Sequence, residues 1–207
     1  MTLRSCFLAA VLAALIPVSS HAQVEASKEV RVKIKGMQVD AQFTPQLNVQ
    51  NVKDKRWRPK NWLEVDVAFE ADKAKVAGEN NPMIDSLDFK FFVLLNVRNK
   101  EGKLTMLTAS ASFLNIMEKE EQHAMMFASP SALTRLLQKN TFSAADVSAY
   151  GVEIYRGGAA AGRYISTGAV PFWEKTENFV VVDGVLLPKS KTPFAPLWGD
   201  YDLESKQ

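Results

Sequence analysis

The sequence predicts an all-β fold, an antiparallel β-sandwich with one short helix. Three observations carry this. Apolar residues recur with a period of two over most of the chain, the spacing of strands with one wet face. Turn residues separate these runs at short intervals. No strand–helix–strand alternation and no internal repeat is present, which argues against a parallel α/β sheet.

The first run alternates Val30, Val32 and Ile34 with Arg31, Lys33 and Lys35. Gly36 ends or bulges it, Val39, Ala41 and Phe43 continue it, and Pro45 breaks it. Leu47 and Val49 lead into a charged loop. The cleanest strand follows, with Leu63, Val65, Val67 and Phe69 alternating against Glu64, Asp66, Ala68 and Glu70. From Asp72 to Asp85, turn formers including Gly78, Asn80, Asn81 and Pro82 predict a loop. Leu87 to Val97 is apolar on both faces at its centre, Phe91 to Leu95, as expected of a central strand covered on both sides. Asn99 to Gly102 is a tight turn, Leu104 to Phe113 the returning strand, and Gln122 to Phe127 a further one.

The single helix starts at Ser129, an N-cap, with Pro130 at its first position and Leu133, Leu136 and Leu137 on one face; Lys139 and Asn140 close it. A helix this short has to pack on a sheet. Val147 to Tyr155 is the next strand, with Gly151 at a bulge. Gly157 to Gly162 reads as a turn and Arg163 to Ser166 as the partner strand. Val180–Val182 and Val185–Leu187 flank Asp183–Gly184, a hairpin signal. The tail carries Pro188, Pro193 and Pro196 near Phe194, Trp198 and Tyr201 and reads as an extended segment along the domain. About eight strands with one late helix fit an immunoglobulin-like sandwich best, without the cysteine–tryptophan–cysteine core of antibody domains. A jelly roll and a lipocalin-like barrel are the alternatives.

Residues 1–22 read as a cleaved signal peptide: Arg4, an apolar run from Phe7 to Val18, and small residues at Ser20 and Ala22. Residues 23–207 then form one domain, exported to the periplasm, outer surface or medium. The cut would remove Cys6, the only cysteine, and leave His123 as the only histidine. No disulfide can form within the remaining chain, and stability rests on core burial. The formal net charge of +2 falls by one without Arg4, too balanced to point to nucleic acid. No later apolar run reaches the roughly 18 to 20 residues of a membrane helix, so no integral membrane segment is expected after cleavage.

Chemistry is sparse. His123 lacks a nucleophile in its sequence surroundings, sits near Glu118, Glu120 and Glu121, and reads as an exposed histidine beside a charged turn. Glu64 with Asp66, or Glu153, can supply carboxylates for glycoside chemistry, but alternating strands place carboxylates on wet faces as a matter of course. Asp85 with Asp88, and Asp200 with Asp202, match no calcium loop. Familiar zinc sites lack ligands, and the glycine-rich Gly157–Gly162 lacks the lysine–serine and helix of a phosphate cradle. Phe89, Phe91 and Phe92 read as core, not as the lining of a lipid barrel. No catalytic residue, metal or cofactor is expected. The most suggestive stretch runs from Lys53 to Trp62: Lys53, Lys55, Arg56, Arg58 and Lys60 surround Trp57 and Trp62. Arg56, Trp57, Arg58 and Trp62 are the candidate ligand-binding residues, for a glycan or a protein partner, through ring stacking and cation–π contact.

The run WEKTENFVVVDGVLLPKSKTPFAPLWGDYDLES from Trp173, behind a sandwich-like pattern and an export signal, resembles secreted immunoglobulin-like proteins encoded beside type IV pilus-like genes in mucin-degrading gut Verrucomicrobia. The resemblance covers most of the chain after residue 22 and carries no catalytic residues. It implies a shape related to archaeal pilus subunits and a role at the cell envelope or surface, host-facing settings included. A type IV pilin keeps a long apolar N-terminal helix; the short, cleavable run here departs from that and favours an accessory protein. The function expected is therefore non-enzymatic: an interaction protein of a pilus-like envelope assembly, or, as the alternative, a carbohydrate-binding module for host glycans.

Overall fold

A computed structural model describes residues 29–47, 50–53, 55–75 and 81–206. The expected signal peptide, Cys6, Val49 and most of the Gly78–Pro82 loop lie outside the described residues. Among these residues nine strands form two packed sheets with the core between them, and one α-helix accompanies them.

The four-stranded sheet has the order β1 (Val30–Phe43), β2 (Asn61–Lys73), β5 (Gln122–Ala128), β9 (Leu186–Pro188), antiparallel throughout. The five-stranded sheet has the order β7 (Ala159–Ile165), β6 (Val147–Arg156), β3 (Met83–Arg98), β4 (Leu104–Met117), β8 (Phe179–Asp183). The two sheets share no strand, so the lipocalin-like barrel does not form.

In β1 the register slips between Ile34 and Gly36 against β2. This bulge reverses the parity of the strand: Val30, Val32 and Ile34 face the core before it, Met37, Val39 and Ala41 after it. On β2 the odd positions Leu63 to Ala71 point inward; on β3, Leu87, Phe89, Phe91, Val93 and Leu95 do. Across the gap Phe69 meets Phe89 at 5.3 Å, and within the facing sheet Phe113 meets Phe89 at 5.0 Å and Phe91 at 6.3 Å, the aromatic heart of the domain. The strands on either side of the 76–80 segment run longer than the expected loop allowed: β2 continues to Lys73 and β3 begins at Met83.

The helix, α1 (Pro130–Leu137), forms as the sequence indicates. Ser129 Oγ accepts from Ala132 N, Leu133 is buried, and Gln138 ends the helix in the left-handed region.

Four expectations change. Val180–Leu187 is not a hairpin: β8 joins β4 in one sheet and β9 joins β5 in the other, and Gly184 (φ +73°) turns the chain between the layers. The sandwich is also not wholly antiparallel, because β8 runs parallel to β4. The cause is the route of the chain. β7 and β8 lie at opposite edges of one sheet, so residues 166–178 cross its outer face and enter β8 from the end where β4 begins. That crossing covers Phe92, Leu94, Met106 and Ala149 with Phe172 and Trp173, which explains why β3 is apolar on both faces. Gly151 is not at a bulge. It pairs regularly with Phe92 and Ile165, and a Cβ there would lie 2.3 Å from Trp173 and 2.7 Å from the Tyr164 carbonyl. Finally, the β6–β7 turn is only Gly157–Gly158, both at positive φ, and β7 starts at Ala159.

Candidate functional site

The outer face of the four-stranded sheet is built from alternate residues of its strands. Trp62, Glu64 and Asp66 of β2 stand beside His123, Met125 and Phe127 of β5, and Asp40 of β1 pairs across from Glu64. Half of this face is apolar and would be wet in an isolated sheet. The C-terminal segment covers it. Phe194, fully buried, stacks on Phe127 (4.5 Å) and Trp198 (5.9 Å) and meets Trp62 edge-on at 5.6 Å. Trp62 is only 9% exposed, and its Nε1 donates to Thr44 Oγ1 at 3.1 Å.

The polar half of the face lies further along the tail. His123 Nδ1 is 2.9 Å from Asp66 Oδ1, and its ring stacks on Tyr201 at 4.1 Å. The Tyr201 hydroxyl donates to Asp66 Oδ2 at 2.7 Å, and Leu203 N donates to the His123 carbonyl. Burial, then the bond to Asp66, pushes the Tyr201 hydroxyl up, so it stays a donor. Lys189, itself buried, pairs with half-buried Asp202 and donates to the Trp198 carbonyl at 3.4 Å. Burial raises the Asp202 carboxyl while Lys189 opposes that rise. Beyond this point Leu114 N donates to the Glu204 carbonyl and Lys206 N to the Ser112 carbonyl, so the tail also pairs with the part of β4 that β8 leaves open.

Glu64 is the most perturbed acid. It faces Asp40 on one side and Phe127 on the other, and its Oε2 is buried without a hydrogen-bond partner. Desolvation first, then the charges of Asp66 and Asp40, push its carboxyl up to about 7. In this setting an acid–base pair, His123 with Asp66, is present, but both ring and carboxylate are held by the tail.

His123 is therefore a partly buried, paired side chain, not the exposed one expected from its acidic neighbours. Of the four residues singled out for ligand binding, the structure separates one from the rest. Trp62 lies beneath Phe194, whereas Trp57 is 48% exposed and Arg56 and Arg58 are exposed with it. Glu153 accepts from Tyr155 and Trp173, at 2.6 and 3.1 Å, and faces the crossing segment. Asp88 accepts from Ser112, and Asp85 lies 3.9 Å from Arg156. Among the described residues no group of three or more histidine, cysteine or acidic side chains is arranged to hold a metal ion, and no helix is long and apolar enough to cross a membrane.

Fold and site together define a two-sheet β-sandwich whose C-terminal tail latches one outer face. The chain belongs to a family whose model matches residues 23–207. It is similar in structure to a protein from Akkermansia muciniphila, a member of the Verrucomicrobia, known from a crystal structure: the TM-score is 0.72, the identity 22%, and the match covers 86% of this chain and 94% of that one. At that identity the likeness is one of fold. No curated protein matches.

Proposed function

We propose that this protein is an exported, non-enzymatic β-sandwich of immunoglobulin-like type, working through surface contacts as an accessory protein of a pilus-like assembly in the cell envelope. The strand order supports the finer fold reading: β1-β2-β5 opposite β7-β6-β3-β4 is the arrangement of strands A, B, E and G, F, C, C′ in immunoglobulin-type sandwiches, with β8 and β9 added. The family match beginning at Gln23, the first residue after the expected cut, supports export.

One observation carries the non-enzymatic reading. The His123–Asp66 pair, the best acid–base candidate in the chain, is bound by Tyr201 and Leu203 of the tail and serves to hold it. The carbohydrate-module alternative wants Trp57 and Trp62 as a pair of stacking platforms; with Trp62 under Phe194 only Trp57 of the two stays open, and the assembly reading is preferred.

Fractionation of the native cells followed by cross-linking mass spectrometry tests the proposal. Cross-links from the sandwich surface to envelope or pilus-like components are expected. A soluble, uncross-linked monomer, or turnover of a substrate lost in His123→Ala, overturns it.

A further inference from the structure

The β1–β2 connection carries a second surface, independent of any assembly contact. Thr44 N and Oγ1 both donate to the Lys60 carbonyl at 3.0 Å, and Thr44 Oγ1 accepts from buried Trp62. These bonds pinch the connection at its base. Beyond the pinch stand large apolar side chains turned to water: Leu47 is 55% exposed, Val52 64% and Trp57 48%, with Phe43 at 64% beside the base. Lys53, Lys55, Arg56, Arg58 and Lys60 are exposed on the same connection, and none of the described ion pairs uses any of them.

Three kinds of partner fit a basic, aromatic surface, and the side chains discriminate among them. A sulfated glycan would use the cations and Trp57, but Phe43, Leu47 and Val52 offer its hydroxyls nothing. Folded protein partners form interfaces depleted in lysine, and three of the five cations here, Lys53, Lys55 and Lys60, are lysines. A bilayer needs no recess. It asks for apolar and aromatic side chains that enter the headgroup layer, with lysine and arginine at the level of the phosphates. The connection has both.

We infer that this loop docks the protein peripherally on an anionic phospholipid surface, with Trp57, Phe43, Leu47 and Val52 in the interfacial layer and the five cations over the lipid phosphates. Cosedimentation of the full chain, as recovered after export, tests this with vesicles of phosphatidylethanolamine containing about one third phosphatidylglycerol, against neutral phosphatidylcholine vesicles. Binding to the anionic vesicles that weakens in high salt is expected. Because a basic side chain near such a surface contributes about fivefold to partitioning, R56Q/R58Q is expected to lose roughly 25-fold. Trp57→Ala is expected to weaken binding severalfold with the melting temperature unchanged, since the ring is half exposed. Any segment common to all variants contributes equally to each, so the comparison isolates the loop. Equal retention of the variants, equal binding to neutral vesicles, or loop-dependent binding to heparin with none to vesicles would each overturn the inference.

Discussion

Replacing Glu64 by glutamine should make the protein more stable, and only above neutral pH does the full gain appear. Glu64 faces Asp40 and Phe127, neighbours Asp66 on the same face, and has a buried oxygen without a partner. Its carboxyl rises from 4.5 to about 7 on folding. The folded state thus holds the proton more tightly than the unfolded chain, and stability falls as pH rises through the interval between those values. Below about 4.5 the group is neutral in both states and costs nothing; above about 7 it is charged in both and the cost is complete. A gap of about two and a half pKa units corresponds to an upper bound of ~3 kcal/mol, which structural relaxation reduces. Glutamine keeps the shape and cannot ionise. Urea unfolding of both proteins at about pH 5, 6, 7 and 8 gives the difference directly. It should be below ~1 kcal/mol at the acid end and rise to ~2–3 kcal/mol in favour of the variant at the alkaline end. A difference independent of pH, or a wild type that is the more stable at about pH 8, refutes the account of this carboxylate.

Two further substitutions probe the tail and the crossing. Phe194→Ala should cost ~3–5 kcal/mol by leaving a cavity among Trp62, Phe127 and Trp198, and limited proteolysis should then cut within the tail before the sandwich unfolds; an intact, protected tail would show that Phe194 does not hold it. Gly151→Ala drives a methyl group into Trp173 and the Tyr164 carbonyl, so a loss of ~1–3 kcal/mol in denaturant titration with a changed near-ultraviolet tryptophan spectrum is expected; unchanged stability and spectrum would contradict the close packing described.

The strands with one wet face were readable because alternation reports burial directly. β1, β2 and the centre of β3 follow their patterns, and Gly36 marked the bulge that reverses β1. The helix was readable from its cap and proline. What failed was long-range. Asp183–Gly184 is a sound local turn signal, but which sheets receive β8 and β9 depends on a crossing that begins at residue 166. Trp62 likewise carries the residues of a sugar platform in its neighbourhood, and only its position on the outer face with Met125 and Phe127 ties it to the tail. That signal was present: three large apolar residues on a face otherwise polar imply a cover, and Phe194, Leu197 and Trp198 are apolar residues of the tail able to supply it. The joining of His123 to Asp66 had no such trace, because 57 positions separate them and only the β2–β5 register brings them together.

The latch over the four-stranded sheet has a consequence for the order in which the molecule is made. Phe194 and Tyr201 follow all nine described strands in the chain, and β9 precedes Phe194 by only a few positions. Until they arrive, Trp62, Met125 and Phe127 have no cover and the nascent sheet keeps an oily outer wall. Arrival of that segment, not growth of the first strands, is what seals the wall, and a chain cut before Phe194 would leave a sticky intermediate in place of a finished sandwich.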